Sequence, residues 1–357
     1  MRKPEPDSDV PLSRANPGIK RDLVAMNERV LLAHGNGGRL MRDLIEEVFV
    51  GTLGEAAPEC LSDASALPDA SPTLMVTTDG FTVEPLEFPG GDLGCLAVHG
   101  SVNDLAVSGA VPRWLTLAAI LEEGTQISLL QRLVASFARA AHRVGARVVA
   151  GDTKVVPYGR GGGVYFVVTG IGVRVREALD LSRIQVGDAI LVSGPVGDHG
   201  IAVMLAREQF GMHGDVRSDS APVLDLCRAL WPLSGLRFMR DPTRGGIATV
   251  ANEICRGTGL GLSLSEAAMP LQPTTVSVCE MLGYDPLYLA CEGRVLAIVA
   301  PDQATQALQH WRELESGRGA AVIGHVQAGG ARVAFRTAAG GERVLDELLD
   351  DPLPRIC

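Results

Sequence analysis

Glycine and aspartate recur, mostly together, in seven short segments: HGNGG (34–38), TTDG (77–80), PGGDLG (89–94), VND (102–104), GDTK (151–154), GDHG (197–200) and DPTRGG (241–246). Glycine lets backbone N–H groups close on phosphate oxygens, so such turns bind anions without a basic side chain. Aspartate repels phosphate but binds Mg²⁺, whose preferred ligands are carboxylate, water and phosphate oxygen. The combination has the chemistry of a metal–nucleotide site. Each segment taken singly reads first as a solvated turn, because Asp and Gly are turn residues in their own right. Only the set favours a phosphate ligand. No G-x-x-x-x-G-K-[ST] is present, which excludes a P-loop, and no G-x-G-x-x-G follows a strand.

A second chemistry sits at the end of the chain. Of the seven cysteines, Cys60, Cys95, Cys227, Cys255, Cys279, Cys291 and Cys357, no two form a C-x-x-C pair. Neither a zinc site nor a disulfide framework is indicated, and six read as small apolar residues. Cys357 is the last residue. A thiol on a flexible tail can carry a covalent group between two sites, and residues 343–357 fully extended reach roughly 50 Å. Without its context, Cys357 is equally an ordinary terminal residue.

The elements that must position these segments alternate between helix and strand. Apolar spacing predicts a helix over 40–53, a polar linker over 57–72, a strand over 73–80 and a small-residue helix over 95–110. Then follow a buried strand at 114–121, an amphipathic helix at 127–145 and a strand running into a turn at 146–156. Another strand is expected at 163–174. The pattern restarts near Val186: strand, Gly-rich turn and helix to 210, then helices at 223–231 and 247–255, and a strand at 261–265. A helix near 276–283, strand candidates at 287–300 and 320–326 and a hairpin from 331 complete it. The expected class is α+β (α/β), with two domains at 27–175 and 176–337, each a sheet packed with helices. A loose extension, 1–26, precedes them and a flexible tail, 338–357, follows.

With 357 residues, 46% apolar and 21% charged, the chain has material for two buried cores. Its net charge of −10 argues against nucleic acid or an anionic membrane as partner. No stretch has the apolar length of a signal peptide core or a transmembrane helix, so a cytoplasmic protein is expected.

The ordered segments HGNGGRLMRDLI (34–45), TTDG through PRWL (77–115), ILEEG (120–124), GDTKVV (151–156), LVSGPVGDHGIAVM (191–204), RDPTRGGIATVANEI (240–254) and PLPRIC (352–357) resemble the HypE family of hydrogenase maturation enzymes. That family lies within the wider group of aminoimidazole ribonucleotide synthetase-like ATP enzymes. The resemblance runs from Val30 to Cys357, and the order and the terminal PRIC make it specific.

It implies two PurM-like domains, a homodimer formed through the N-terminal domains, and the cofactors ATP and Mg²⁺. By motif position, Asp79, Asp104, Asp152 and Asp241 are the implied metal ligands. Gly37, Gly38, Asn103, Gly151, Thr153 and Arg244 are implied phosphate or nucleotide contacts, with a structural capping role as the alternative for Asn103 and Arg244. Lys154 is expected to pair with transferring phosphoryl oxygens and Glu292 to accept a proton, His34 and His199 being further candidates. The implied reaction begins when a carbamoyltransferase partner loads Cys357 with a carboxamide. ATP-dependent dehydration then gives a thiocyanate, and an iron-binding scaffold complex accepts the cyanide for a [NiFe]-hydrogenase.

Two features depart from the family pattern: the extension 1–26, and Cys291 before Glu292. The rival readings are another ATP enzyme of the same fold, such as a selenophosphate synthetase or a purine enzyme, and a catalytically silent adaptor that only presents its tail.

Overall fold

Two sheets carry the chain, which in this computed structural model is described at residues 38–50, 52, 63–67, 73–176, 179–207, 214–348 and 356. Gly37, His34, Cys60, Arg355, Cys357, the extension 1–26 and most of the segment after Leu348 lie outside the described residues. The helices are α1 (Gly38–Leu44), α2 (Leu93–Val107), α3 (Ile127–Arg143), α4 (Asp198–Ala206), α5 (Leu224–Leu230), α6 (Gly246–Thr258), α7 (Pro273–Leu282) and α8 (Ala304–Arg312).

The first sheet has the order β1 (Ser65–Ala66), β2 (Leu74–Phe81), β7 (Val164–Arg174), β5 (Ala110–Glu122), β6 (Arg147–Val156). Its β5–β6 pair is parallel and its other pairs antiparallel. Burial alternates along β7, so one face is covered, by α2 and α3, and the other is not. The edge strand β6 is exposed along nearly its whole length. Between the sheets' strands a short hairpin pairs β3 (Glu87–Phe88) with β4 (Gly91–Asp92), and Asp92 caps α2 by accepting the Cys95 N–H.

The second sheet has the order β14 (Glu342–Val344), β13 (Val333–Arg336), β10 (Gly261–Ser265), β12 (Ala321–Gln327), β8 (Ala189–Val192), β11 (Leu296–Val299), β9 (Leu236–Arg240). Strands β8 and β11 are buried at every residue. Ile190, Val192, Leu296 and Ile298 face α6, while Leu191, Ala297 and Val299 face α5 and α8 around Trp311. Burial on both faces explains the unbroken apolar runs AILV and LAIV.

Helix α2 is apolar nearly all round and buried accordingly. It packs Leu93, Leu96 and Val102 on the first sheet, and Ala106 and Val107 into the core around Leu191 and Val223. A Cβ at Gly94 would meet the Leu133 carbonyl oxygen at 2.0 Å, so glycine is what lets α2 and α3 approach. This helix delivers Asn103 and Asp104 to the junction of the two sheets.

Several local expectations are corrected. GDTK is the interior of strand β6, held by pairing with β5, rather than a turn. TTDG lies within β2 and VND inside α2, as the strand expected over 73–80 and the helix expected over 95–110 require. Of the strand expected over 287–300, only Leu296–Val299 pairs, and α8 and β9 were not anticipated. The tail does not start at 338. Leu345 is fully buried, the Asn252 amide and the Tyr288 hydroxyl donate to the carbonyls of Leu345 and Asp346, and Glu347 is paired with Arg42 and Arg256.

Candidate active site

A cavity of about 890 Å³ opens between β2, α2 and the start of α6. Asp63, Asp104 and Asp241 lie on its wall with carboxylate oxygens all within 4.8 Å of one another. Asp104 comes from α2, Asp241 from the end of β9, and Asp63 from the segment just before β1. Asp79 of β2 lines the same cavity, and Asp104 Oδ2 accepts from the Thr77 hydroxyl at 2.7 Å.

Burial raises Asp104 well above the usual carboxylate range, and the charges of Asp241, Asp79 and Asp63 add to this. Burial likewise raises Asp241, with Asp63 next in effect and Arg240 opposing. Asp63 is pushed up to about 6, chiefly by burial, against the pull of Arg240. The guanidinium of Arg240 lies 2.8 Å from Asp63 and 3.4 Å from Glu253 of α6. Although its own burial opposes the charge, those acids hold Arg240 protonated.

Crowded carboxylates of raised pKa are a place where a divalent cation displaces protons. The donor set is all hard oxygen, and Asp241 Oδ2 is buried with no hydrogen-bond partner among the described residues. Both features fit Mg²⁺.

The DPTRGG segment turns from β9 into α6 through two glycines of positive φ, Gly245 at 73° and Gly246 at 57°. A Cβ at Gly246 would meet the Leu289 carbonyl oxygen at 2.5 Å, so the turn packs directly on the 289–292 segment. Arg244 lines the cavity, as does Glu292, which is buried. The Glu292 N–H donates to Asp219 at 3.0 Å, and its carbonyl accepts from the Asn103 amide at 3.2 Å.

Of the residues singled out from the sequence, the structure brings together Asp79, Asp104, Asp241, Arg244 and Glu292. Gly38 is the first residue of α1, whose Met41 and Arg42 line the cavity; Gly38 is not among the lining residues. Asn103 is adjacent but differently employed. Its amide donates to the carbonyls of Ala221 and Glu292, and its Oδ1 accepts the Val223 N–H. That side chain fixes the loops around Glu292 rather than facing a nucleotide.

Gly151, Asp152, Thr153 and Lys154 are exposed on β6 and absent from the cavity wall. The register aligns Asp79 with Val168, Leu117 and Gly151 across four strands. Three inter-strand steps of ~4.8 Å separate GDTK from Asp79 within one chain. Asp152 therefore does not join the acidic cluster of its own chain.

Asp63, Thr77, Arg240 and Glu253 belong to the site but were not singled out beforehand. His199, read as a loop residue, is fully buried in the first turn of α4, its Nε2 2.9 Å from the carbonyl oxygen of Ile356. Cys291 is a buried thiol whose sulfur accepts the Gly197 N–H, and burial pushes it well above the ordinary thiol range. Both features fit an inert buried thiol.

Residues 61–174 match the family model described as AIR synthase related protein, N-terminal domain, and residues 185–335 match its C-terminal domain counterpart. The carbamoyl dehydratase HypE of Rhodobacter capsulatus is 46% identical over 339 residues, covering 93% of this chain and 99% of the relative. That of Cupriavidus necator is 44% identical over 345 residues, covering 95% and 98%. Among solved structures, a HypE–HypF complex superposes with a TM-score of 0.81 at 41% identity, covering 85% of this chain and 99% of the other. A hydrogenase maturation protein HypE in complex with ATP gives 0.76 at 40% identity, covering 92% and 100%. With two such domains in the same order and relatives this similar over almost their entire length, the chain belongs to the HypE family of carbamoyl dehydratases.

Proposed function

We propose that this chain dehydrates a carboxamide carried on Cys357 to a thiocyanate at the expense of ATP, providing cyanide ligands for the iron of a [NiFe]-hydrogenase. One observation carries the reading. Glu292 is at once part of the acidic cavity wall and an electrostatic neighbour of His199, which holds the carbonyl of the residue before Cys357. The cavity and the end of the chain therefore converge on one carboxyl group.

The chemistry follows from leaving groups. In Cys–S–C(=O)–NH₂ the oxygen cannot leave as hydroxide. Transfer of the γ-phosphoryl group of ATP onto that oxygen turns it into phosphate. Loss of both nitrogen protons and departure of phosphate leave Cys–S–C≡N. Asp63, Asp104, Asp241 and Asp79 would hold Mg²⁺, which when bound neutralises phosphate charge. Arg244 is disposed to contact the nucleotide, with Gly37 and Gly38 as backbone donors. Glu292 accepts a proton from the carboxamide nitrogen, and Lys154 stabilises the transferring phosphoryl oxygens.

The remote GDTK segment is best accounted for by a homodimer. Strand β6 is an exposed edge with Val148, Val149 and Val155 half-exposed, a surface that a second copy would cover. In that dimer Gly151, Asp152, Thr153 and Lys154 serve a site shared between copies. A mixed dimer of Lys154→Ala with Asp104→Asn tests this. Regaining about half the activity supports a shared site, since only one of two composite sites is intact; two dead sites overturn it.

The first domain extends over 27–175 and the second from 176 through β14 to the anchored Glu347, and the protein works in the cytoplasm. Its partners are a carbamoyltransferase that loads Cys357 and an iron-binding scaffold complex that accepts the cyanide. The relative solved with HypF supports the first. The dehydratase reading requires that loading stimulate ADP formation one-for-one with thiocyanate. Equal stimulation in a Cys357→Ala variant would refute it.

A further inference from the structure

A hydrogen-bonded chain runs through buried polar groups from α4 to the end of the protein. His199 Nε2 lies 2.9 Å from the Ile356 carbonyl oxygen, and its Nδ1 lies 2.8 Å from the Ser218 hydroxyl. The carbonyl is only an acceptor, so Nε2 carries the proton. Burial disfavours the charged imidazolium, which leaves Nδ1 to accept from Ser218. The Ser218 oxygen in turn accepts the Ser220 N–H at 3.0 Å.

The ring is fixed from its other sides as well. Phe88 meets it edge-on, with ring centroids 5.5 Å apart, and the Ser218 N–H donates to the Pro89 carbonyl at 2.8 Å. With the tail seated, this imidazole carries its proton on Nε2, and Phe88 and Ser218 hold the ring in place. The Ile356 side chain is buried among Ile201, Met204, Val216, Val278, Leu289 and Ala290. A backbone acceptor and an aliphatic side chain of the same residue thus have separate receptors, one polar and one apolar.

We propose that His199 is the positioning residue for the tail: its Nε2–H clasps the Ile356 carbonyl while Ile356 fills the apolar socket, together fixing where Cys357 is delivered. The inference rests on the dehydratase reading above and names the group that registers its substrate. Cys357 directly follows the clasped residue in sequence, so holding Ile356 confines where its thiol can reach. Because the clasp takes a backbone carbonyl, it is indifferent to the group on sulfur. Thiol, carboxamide and thiocyanate forms are seated alike, so the clasp sets geometry without favouring one chemical state. One neutral hydrogen bond and one aliphatic side chain are also a hold modest enough to release for loading.

The test measures Cys357 alkylation by iodoacetamide in the full-length protein, followed by peptide mass spectrometry, beside single-turnover dehydration of the preloaded tail. His199→Ala is expected to raise the alkylation rate and lower the dehydration rate, each about tenfold, the worth of one net hydrogen bond. His199→Gln, which keeps an N–H donor near the Nε2 position, should restore most of both. Ile356→Gly, confined to the last-but-one residue, should reproduce the His199→Ala phenotype with the body of the protein intact. Unchanged alkylation in both His199→Ala and Ile356→Gly overturns the clasp. Failure of Gln to rescue also overturns it, because it reduces His199 to packing. Alkylation needs neither ATP nor loading, so a wild-type protein that loses no water but shows the alkylation differences refutes the dehydratase reading alone.

Discussion

The amide of Asn103 donates to the carbonyl of Glu292 at 3.2 Å, joining residues 189 positions apart in the chain. Together with its bonds to Ala221 and Val223, this makes Asn103 the staple between α2 and the segment that presents Glu292. Asn103→Ala leaves buried backbone groups unsatisfied and should cost about 2–4 kcal/mol of stability, read from urea denaturation. Nucleotide affinity of the folded fraction should stay within about threefold, the spread expected of a modest indirect effect. A direct nucleotide contact would give the reverse pattern: weakened ATP binding at unchanged stability.

Asp63, Asp104 and Asp241 crowd their charges, and a divalent cation relieves that crowding. Adding Mg²⁺ with a non-hydrolysable ATP analogue should raise the wild-type melting temperature. In Asp241→Asn most of the increment should vanish, and ATP turnover should fall at least about a hundredfold. The control is the melting temperature without Mg²⁺, which the substitution should leave unchanged or raise.

Burial lowers His99 to about 4, with the charge of Arg143 adding to the effect. In the unfolded chain a histidine titrates near ~6.5. Between those values the unfolded state binds more protons, so this group's contribution falls as pH drops from about 6.5 to 4 and then levels. Stability curves of wild type and His99→Gln should therefore converge on acidification, changing in difference by about 3 kcal/mol near pH 4. A pH-independent difference would show that folding does not shift the titration of His99.

Leu345 and Glu347 are anchored, and nine residues, 349–357, follow Leu348 in the chain. Fully extended they reach about 30 Å, well short of the span counted from residue 343. Deleting 349–351 should slow loading of Cys357 by the carbamoyltransferase at least about tenfold, since a linker that cannot span its sites loses its effective concentration. ATP affinity should not change. Normal loading of the shortened chain would mean that residues before 349 detach.

Much of this site was legible in advance, and the gaps have physical causes. Asp79, Asp104, Asp241 and Arg244 stand in the segments picked out by their Gly/Asp composition, and their roles, with that of Glu292, are what the resemblance to the HypE family implies. Asp63 lies in a small, polar stretch that reads as a linker, and β1 beside it exists only by pairing with β2. Strand β6 reads as strand-then-turn because GDTK is turn-like in composition, and only its pairing with β5 keeps it extended. His199 follows Gly197 and Asp198, which mimic a surface turn, while its partner Ile356 is 157 residues away. The cations that anchor Glu347 come from α1 and α6. Contacts between elements so distant in sequence leave no local pattern. The two-domain α+β architecture did, because β8 and β11 are apolar throughout and α3 has a clear apolar face.

The central claim is that the carboxamide on Cys357 loses water at this acidic site, and mass spectrometry of the C-terminal peptide tests it directly. Protein loaded by the carbamoyltransferase is mixed with Mg-ATP, quenched and digested. The account predicts that the peptide ending in Cys357 loses the mass of one water molecule in wild type, and keeps its carboxamide in Asp104→Asn and Glu292→Gln. A loaded peptide that stays unchanged in wild type while ATP is consumed, or one that dehydrates equally in all three proteins, would contradict it.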